Sequence, residues 1–361
     1  MLNQLRYLFS QDVGLDLGTA TTIIYVRDKG ITLRQASAVA IEKDSGHFIA
    51  IGNEALELLG REPEGIEVIL PVRDGVIHNF EITCRMLEHF FAKALAGSFG
   101  HPSLLVGVPA GTTVIERRAI YEAASYLDIS EVFLIDEPLA AAVGAGLDIH
   151  QPHGSMVLDI GGGTADISVI SLAGTVYAYS MPLAGDAMDQ AIIDYLRHEH
   201  AFLIGQRTAN RIKHCLGSAP TESNSYASKR SCLTIGGRAI SSGMPATLEL
   251  TGEDIQKALL PLLKKIARAV TDTLSDLPPE IVNDIRDSGV TLTGGGSLLK
   301  NLAAYLNEET ELSMKRAKEP LECVVLGLQT LVDHMDTIRN RQGRDIHASV
   351  PLSVTSRARA A

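Results

Sequence analysis

Two stretches of the sequence, VGLDLGTATTIIYV at 13–26 and VLDIGGGTADISVI at 157–170, share one pattern. Each begins as an apolar strand, reaches an aspartate, turns through glycine and a hydroxyl residue, and continues as a second strand. Their aspartates, Asp16 and Asp159, lie 143 residues apart. The repetition predicts an α/β protein made of two similar halves that face each other, as expected of a distant duplication.

The two turns have the composition of a phosphate site. Glycine in a tight turn lets backbone N–H groups point into one concavity, which suits a polyphosphate chain. Asp16 and Asp159 would repel that chain from both sides unless a hydrated divalent cation lay between them. The pair therefore predicts Mg²⁺, bound to Asp16 and Asp159 through water. For either turn alone, a simple glycine-rich hairpin explains the residues equally well.

The glycines exclude two other nucleotide motifs. A dinucleotide fingerprint must lead into a helix, whereas the residues after Thr164 alternate like a strand. No G-x-x-x-x-G-K-[ST] sequence is present. A third cluster, Gly294 to Gly296, follows the strand-like VTLT and is predicted to open a helix at Ser297, where a helix N-terminus could face a ligand. A tightly packed helix entry is the alternative.

An acidic pair lies between the two turns, in FLIDEPLAAA at 133–142. Acidic residues followed by proline are ordinary at the start of a helix, so Asp136 and Glu137 have a structural explanation. The functional alternative is that Glu137 holds a water molecule for attack on a terminal phosphate, a task that needs orientation more than basicity.

Composition and charge limit the remaining possibilities. The 361 residues are 45 % apolar and 21 % charged, as in a folded protein of about two or three domains. The net charge of −11 disfavours general attraction to nucleic acid, so no nucleic-acid partner is expected. No apolar run reaches the roughly 18 residues of a membrane span, and the N-terminus lacks a signal-peptide region, which predicts a cytoplasmic chain. Four cysteines without zinc spacing are expected to be reduced packing residues.

Two insertions and a tail interrupt the main pattern. Short strands are predicted around the turn DSG within 31–76, followed by a short helix from Asn53. The Ser-rich stretch 217–231 precedes CLTIGGRAIS, which we interpret as two short strands around a Gly-Gly turn. After about Asn340 the chain is rich in arginine and shows no apolar periodicity, so residues 340–361 are expected to form a flexible tail.

Taken together, these motifs resemble a known ATPase superfamily. DLGTATT at 16–22, FLIDEPLAAAVGAG at 133–146, LDIGGGTADISVI at 158–170, AGDAMDQAI at 184–191 and RIKH at 211–214, with LTGGGSLLKNL at 292–302, match the motif set shared by actin, heat-shock chaperones and sugar kinases. Their order and spacing resemble the MreB family of bacterial actins over about residues 1–338. The resemblance implies ATP and Mg²⁺ in a cleft between two lobes.

The resemblance also implies a division into subdomains and a role in the cell. Lobe I would span 1–144, with a large subdomain at 1–31 and 77–144 and a small one at 32–76, and 320–338 would return to it. Lobe II would span 145–319, with a large subdomain at 145–182 and 245–319 and a small one at 183–244. The resemblance implies a protein that hydrolyses ATP slowly and forms filaments on the inner face of the cell membrane. These filaments would organise cell-wall synthesis and rod shape, with cell-wall elongation and shape proteins as partners.

Site residues follow from the same resemblance, position by position. Glu137 and Asp159 would be catalytic, and Asp16 and Asp159 would hold the metal. The nucleotide would contact Asp16, Gly18, Thr19, Ala20, Thr21, Gly161, Gly162, Gly163, Thr164, Asn210, Lys213, Gly294, Gly295 and Gly296. The chain departs from the family pattern at Thr21, Asp136, Ala184 and Asn210; Asn210 replaces an expected Glu, which predicts weaker contact with the ribose.

The N-terminus shows a further similarity to the family. Leu2, Leu5, Leu8 and Phe9 recur at roughly helical spacing beside Arg6, like the short membrane-binding helix of some members. A segment packed on the protein's own body is the alternative interpretation. Phe99 lies where a family loop also contacts lipid.

Two other functional classes share the phosphate turns. A small-molecule phosphotransferase of the sugar-kinase branch is the alternative function, although no separate sugar-binding motif is visible. A chaperone ATPase is disfavoured because the chain leaves no room for a peptide-binding domain after the ATPase motifs.

Overall fold

The computed structural model describes residues 11–97, 101–110, 112–127, 129–221 and 231–334. Its first large sheet has five strands in the order β10-β9-β1-β2-β3. They are β1 (Val13–Leu17), β2 (Thr21–Val26), β3 (Gly30–Ala36), β9 (Ser103–Val108) and β10 (Glu131–Asp136). β1 pairs antiparallel with β2 and parallel with β9, so the first glycine turn joins two neighbouring strands at the centre of the sheet.

The second large sheet repeats this arrangement, in the order β13-β12-β11-β17-β18. Its strands are β11 (Ser155–Ile160), β12 (Ala165–Ser171), β13 (Gly174–Met181), β17 (Val290–Thr293) and β18 (Met314–Arg316). β11 pairs antiparallel with β12 and parallel with β17, as β1 does with β2 and β9. The predicted duplication is therefore present in the fold, with the two Asp-Gly turns at equivalent places in the two sheets.

Smaller sheets accompany each large one. β4 (Val39–Glu42), β5 (Phe48–Ile51) and β6 (Ile66–Ile69) form one, β7 (Val72–Arg73) and β8 (Val76–Ile77) a second, and β14 (Phe202–Leu203), β15 (Cys232–Ala239) and β16 (Pro245–Thr251) a third. The first sheet lies within the predicted insertion 31–76 and the second at its end, whereas the third combines β15 of the predicted second insertion with β14 before it and β16 after it. The subdomain boundaries themselves stay a prediction.

The predicted Gly-Gly turn at 236–237 is wrong. β15 runs straight through both glycines, and the chain turns afterwards, between Ala239 and Pro245. Gly237 serves close packing instead, because a Cβ there would overlap the ring of Phe202. A glycine pair in a strand can thus mark a close approach as well as a turn.

Ten helices cover the sheets in the described ranges. They are α1 (Asn53–Leu58), α2 (Phe80–Ala94), α3 (Val114–Ser125), α4 (Glu137–Gly144), α5 (Gly185–Glu199), α6 (Gln206–Leu216), α7 (Gly252–Ser275), α8 (Pro279–Ser288), α9 (Leu302–Thr310) and α10 (Cys323–Val332). Capping boxes at Thr113 and Thr251 fix the starts of α3 and α7. No helix in these ranges is long and apolar enough to cross a bilayer.

Helices α4 and α10 join the two halves. Leu139 of α4 and Leu328 of α10 belong to one buried cluster with Leu105 of the first sheet and Val157 of the second. The helices cross with almost no side chain between them. A Cβ on Gly144 would overlap the carbonyl oxygen of Cys323, and one on Gly327 would overlap that of Ala140. The small-residue run of α4 therefore allows two backbones to meet in this central layer.

Some expectations about single residues need correction. Cys84 and Cys323 are buried and free, as expected of packing residues, but Cys215 and Cys232 are exposed. The N-terminal segment 1–10 and the tail beyond 334 lie outside the described residues, so the membrane residues and the flexible tail stay predictions.

The α4–α10 crossing generates a stability prediction. Gly327→Ala forces a methyl group into the backbone of Ala140, and such overpacking costs about 1–3 kcal/mol or more. We expect its free energy of unfolding in urea to fall by at least that amount. Gly236→Ala is the matched control, because its Cβ would meet open space. Equal stability of the two variants would show that the crossing relaxes without cost.

Candidate nucleotide site

A cavity of about 380 Å³ lies between the two Asp-Gly turns. Every residue predicted to be catalytic, to bind the nucleotide or to hold the metal lines it: Asp16, Gly18, Thr19, Ala20, Thr21, Glu137, Asp159, Gly161, Gly162, Gly163, Thr164, Asn210, Lys213, Gly294, Gly295 and Gly296. The structure therefore brings together motifs spread over about 280 residues of chain. Their individual roles stay predictions.

The sheets place the two aspartates symmetrically. Asp16 lies one residue before the end of β1, beside Gly107 of the parallel strand β9. Asp159 lies one residue before the end of β11, beside Thr293 of the parallel strand β17. Because parallel strands end at the same sheet edge, each carboxylate faces a cleft that two loops border.

The two turns approach each other closely. A Cβ on Gly162 would lie 2.7 Å from the Cβ of Ala20. A Cβ on Gly163 would lie 2.6 Å from the Oγ1 of Thr19 and 2.9 Å from the backbone nitrogen of Asp74. Glycine is needed at these two positions because Ala20, Thr19 and Asp74 of the opposite half occupy the space of a side chain.

Hydrogen bonds fix each turn from behind. The backbone N–H of Gly75 donates to Thr19 Oγ1 at 2.9 Å, and Ser37 Oγ donates to the Gly18 carbonyl at 2.7 Å. In the second turn, the N–H of Asp186 donates to the Gly162 carbonyl at 2.8 Å. The first residues of α5 thus hold the turn that borders the cleft.

Glu137 enters the cleft from the central layer. It is the first residue of α4, directly after β10, and its side chain is half-buried over Gly107. The Glu137 Cγ lies 3.2 Å from the place that a Cβ on Gly107 would occupy. Glu137 therefore lies at a helix start, as expected of an acidic residue before proline, and it also lines the cavity, as its proposed role with water requires.

The carboxylates of the cleft repel one another. Burial raises the pKa of Asp159 to about 7, and Asp166, directly opposite in the β11–β12 pairing, adds to the shift. Burial likewise raises the pKa of Asp16 to about 7, although Arg34 opposes it. The pKa of Glu137 is well above its ordinary value, mainly through burial and then through Asp16. This concentration of acids needs a positive charge to be stable in its ionised form.

The carboxylates fit a hydrated Mg²⁺. The Oδ1 atoms of Asp159 and Asp166 are buried and have no hydrogen-bond partner in the described part of the chain. Carboxylate oxygens are the ligands that Mg²⁺ prefers. No three acidic, His or Cys side chains in the described ranges converge closely enough to hold a metal directly. A magnesium ion would therefore be bound by Asp16 and Asp159 through its water molecules.

The far end of the cavity holds Asn210 and Lys213 of α6. Lys213 Nζ lies 2.9 Å from the buried carboxylate of Asp189 and donates to the Gly185 carbonyl at 2.7 Å. Asn210 Nδ2 also donates to Asp189, at 3.1 Å. Asn210 therefore supports a buried acid, and a glutamate at this position would face Asp189 as a like charge.

The third glycine cluster differs from its prediction. A 3₁₀ turn spans Gly295–Leu298, and helix α9 begins only at Leu302, after Asn301 in a left-handed conformation. Gly294 has φ 76° and lies against the backbone of Ile160. Leu298 and Leu321, both among the most exposed large apolar residues, line this end of the cavity and offer apolar surface to a flat ring.

Sequence reasoning missed several cavity residues: Gly75, Asp166, Gly185, Asp186, His214, Leu298, Lys300 and Leu321. Asp166 and Asp186 lie inside quoted motifs, so their acidic character was a usable signal. Gly185, His214, Leu298 and Lys300 also lie inside quoted motifs, whereas Gly75 and Leu321 lie outside them and reach the cavity only through tertiary structure. The predicted membrane residues Leu2, Leu5, Leu8 and Phe9, and also Phe99, lie outside the described residues.

Known proteins share both the sequence and the fold. The chain is 45 % identical over 333 residues to the cell shape-determining protein MreB of Escherichia coli K12, covering 91 % of this chain and 94 % of that protein. It is 40 % identical over 336 residues to the cell shape-determining protein Mbl of Bacillus subtilis 168, covering 93 % and 99 %.

Solved structures give the same result. MreB5 of Spiroplasma citri bound to ADP matches with a TM-score of 0.87 and 32 % identity, over 92 % of this chain and 99 % of that one. A MamK double helical filament matches with a TM-score of 0.75 at 22 % identity, over 90 % and 99 %, which shows the shared actin-like fold. The sequence profile of the family described as MreB/Mbl protein matches residues 10–340. The chain therefore belongs to the MreB/Mbl family.

Proposed function

We propose that this protein is a bacterial actin-like ATPase that assembles into cytoskeletal filaments and takes part in determining cell shape. The observation that carries the proposal is the single cleft in which both Asp-Gly turns and Glu137 meet. Its relatives MreB and Mbl are named for cell shape, and MreB5 binds ADP and AMPPNP. The sugar-kinase alternative is not favoured, because the family match covers almost the whole chain.

The residues of the cleft have distinct tasks in this proposal. Backbone N–H groups of the two glycine turns bind the phosphates of ATP, and Leu298 and Leu321 cover the base. Asp16 and Asp159 hold Mg²⁺, which neutralises phosphate charge when bound. Glu137 orients a water molecule toward the terminal phosphate. Because this step depends on position, the rigid attachment of Glu137 to α4 is suited to it.

The proposed function predicts that ATP hydrolysis requires Glu137. With Mg-ATP, the parent protein is expected to sediment as filaments and to release phosphate slowly. Glu137→Ala is expected to bind ATP and to sediment, but to hydrolyse about 10²- to 10⁴-fold more slowly, the usual loss for a catalytic acid or base. A phosphate-release assay on the sedimented protein measures this. Parental hydrolysis by a folded Glu137→Ala would refute the catalytic role, and no ATP-dependent sedimentation of the parent would refute the filament.

Asp159→Asn has two expected effects of opposite sign. It weakens magnesium-dependent ATP binding, measured by calorimetry, because a ligand charge is lost. It also removes a cost of folding. Without a cation, folded Asp159 keeps its proton up to about pH 7, whereas an unfolded aspartate loses it near 3.8. The folded parent thus binds more protons in this window, and its stability falls as pH rises, by at most about 1.4 kcal/mol per pH unit.

The nucleotide-free Asp159→Asn variant is therefore expected to gain thermal stability over the parent as pH rises from about 4 to 7. Asp44→Asn, at an exposed loop position, is the control and should show no such gain. The same stability difference at pH 4 and pH 7, or unchanged ATP affinity in magnesium buffer, would contradict the role of Asp159.

We further propose that filaments of this protein bind the inner face of the cell membrane through residues 1–9, and that cell-wall elongation and shape proteins are their partners there. Burial of Leu2, Leu5, Leu8 and Phe9 yields about 1.5–3 kcal/mol each. Ordering a short helix costs about 1–2 kcal/mol per residue, which cancels much of that gain. One copy therefore binds weakly, while a filament carries many linked copies and gains avidity.

Co-flotation with anionic liposomes tests this membrane contact. The parent with Mg-ATP is expected to float, and both a deletion of residues 2–9 and a polymerisation-blocked form are expected to stay behind. Sedimentation of the deletion variant with Mg-ATP is the control that its filaments still form. Undiminished flotation of the deletion would place the contact elsewhere, with Phe99 and the arginine-rich tail as the next candidates.

A further inference from the structure

Arg117, in the first turns of α3, connects this helix to the loop before it and to the start of α4. Its Nη2 donates to Asp136 Oδ1 at 3.3 Å, and its Nε donates to the carbonyl of Thr112 at 3.4 Å. The side chains of the ion pair are only 21 % and 10 % exposed. The pair therefore lies in partly desolvated surroundings, where loss of one partner has a larger effect than at the surface.

Asp136 occupies an unusual position for an ion-pair partner. It is the N-cap residue of α4, where an aspartate normally accepts a hydrogen bond from the first-turn N–H groups. Here its side chain makes no such capping bond. The carboxylate is directed to Arg117 instead, and the next residue along the chain is Glu137.

The opposite side of Glu137 is limited by Gly107. The Cγ of Glu137 lies only 3.2 Å from the position of a Cβ on Gly107. Gly107 has an ordinary backbone conformation, since it is not among the residues with positive φ. Its lack of a side chain thus has a packing reason: a Cβ would lie 3.2 Å from the Glu137 Cγ and 3.4 Å from the Val324 Cγ1, so glycine leaves room for both side chains.

We propose that Arg117 and Gly107 are positioning residues for Glu137. Arg117 holds Asp136 away from the helix cap and so fixes the peptide that carries Glu137, while Gly107 provides the space in which the Glu137 side chain extends into the cleft. The proposal rests on the proposed ATPase function and adds how the water-orienting carboxylate is kept in place.

The physical reason is the competition between two partners for Asp136. Without Arg117, this carboxylate loses its guanidinium partner, and accepting from the first N–H groups of α4 becomes more favourable. Its rotation would turn the Asp136–Glu137 peptide and displace the Glu137 carboxylate. Displacement of about 1 Å at a reacting group can lower a rate by about 10²-fold. The cap that is gained offsets part of the stability that is lost with the ion pair.

Arg117→Gln is the first test. We expect phosphate release, normalised to sedimented protein, to fall at least about 10-fold, with the Kd for Mg-ATP within about twofold of the parent. Arg118→Gln is the matched control on the same helix. Arg118 pairs with Glu122 at 2.9 Å on the surface and is 79 % exposed, so its loss should leave both values unchanged.

Asp136→Glu and Gly107→Ala separate positioning from general destabilisation. Asp136→Glu keeps a carboxylate for Arg117 and should retain the rate within about threefold, whereas Asp136→Leu should lose it as Arg117→Gln does. Gly107→Ala should slow hydrolysis of the parent but have no further effect in a Glu137→Ala background, since residues that act as one unit are not additive.

The outcomes distinguish this proposal from the proposed function. If Glu137→Ala leaves hydrolysis unchanged, the ATPase assignment of Glu137 fails. If Glu137→Ala abolishes hydrolysis but Arg117→Gln retains the parental rate, only the positioning role fails. A loss in Arg117→Gln that is matched by a loss of ATP affinity or of thermal stability would also overturn it, because a merely structural role produces that pattern.

Discussion

The close approach of the two glycine turns is the contact on which the nucleotide site depends. Gly162 and Gly163 lie against Ala20, Thr19 and Asp74, so the backbone of the second turn packs directly on the first half at this point. A side chain at either glycine would separate the turns. Separating the turns would also move Asp16 and Asp159 apart, because each aspartate lies in the strand that leads into its turn.

The same close approach brings several buried carboxylates together, which makes their ionisation unfavourable. Asp16, Asp159, Asp166 and Glu137 share one cleft, and burial raises the pKa of each. Ionising these carboxylates in the empty cleft is therefore costly, and a bound cation would reduce that cost. Functional sites of this kind commonly lower the stability of the empty protein, because their residues are arranged to suit the bound state.

Glu137 connects this chemistry to the architecture. It begins α4, and α4 crosses α10 through Gly144 and Gly327 in the layer between the two large sheets. The residue proposed to orient water is thus attached to the helix on which both halves pack. Arg117 of α3 pairs with Asp136, the residue directly before Glu137.

Much of the site was readable from sequence because its motifs are local. The turns after Asp16 and Asp159 carry their own glycines, and the pairing of their strands follows from short range alternation. Predictions failed where a glycine serves a distant neighbour. Gly237 avoids the Phe202 ring and does not turn the chain. After Gly294 the strand is followed by a 3₁₀ turn, and helix α9 begins only at Leu302, after the left-handed Asn301.

The duplicated Asp-Gly turns, the family and most of the predicted contact residues of the cleft could be identified from the sequence, since each of these is a property of a short segment. The hydrogen bond from Asn210 to Asp189, the ion pair of Arg117 with Asp136 and the place of Leu321 at the cavity are visible only in the folded protein. These contacts join residues from separate elements. Their partners depend on how helices and sheets pack, which no local pattern of residues specifies.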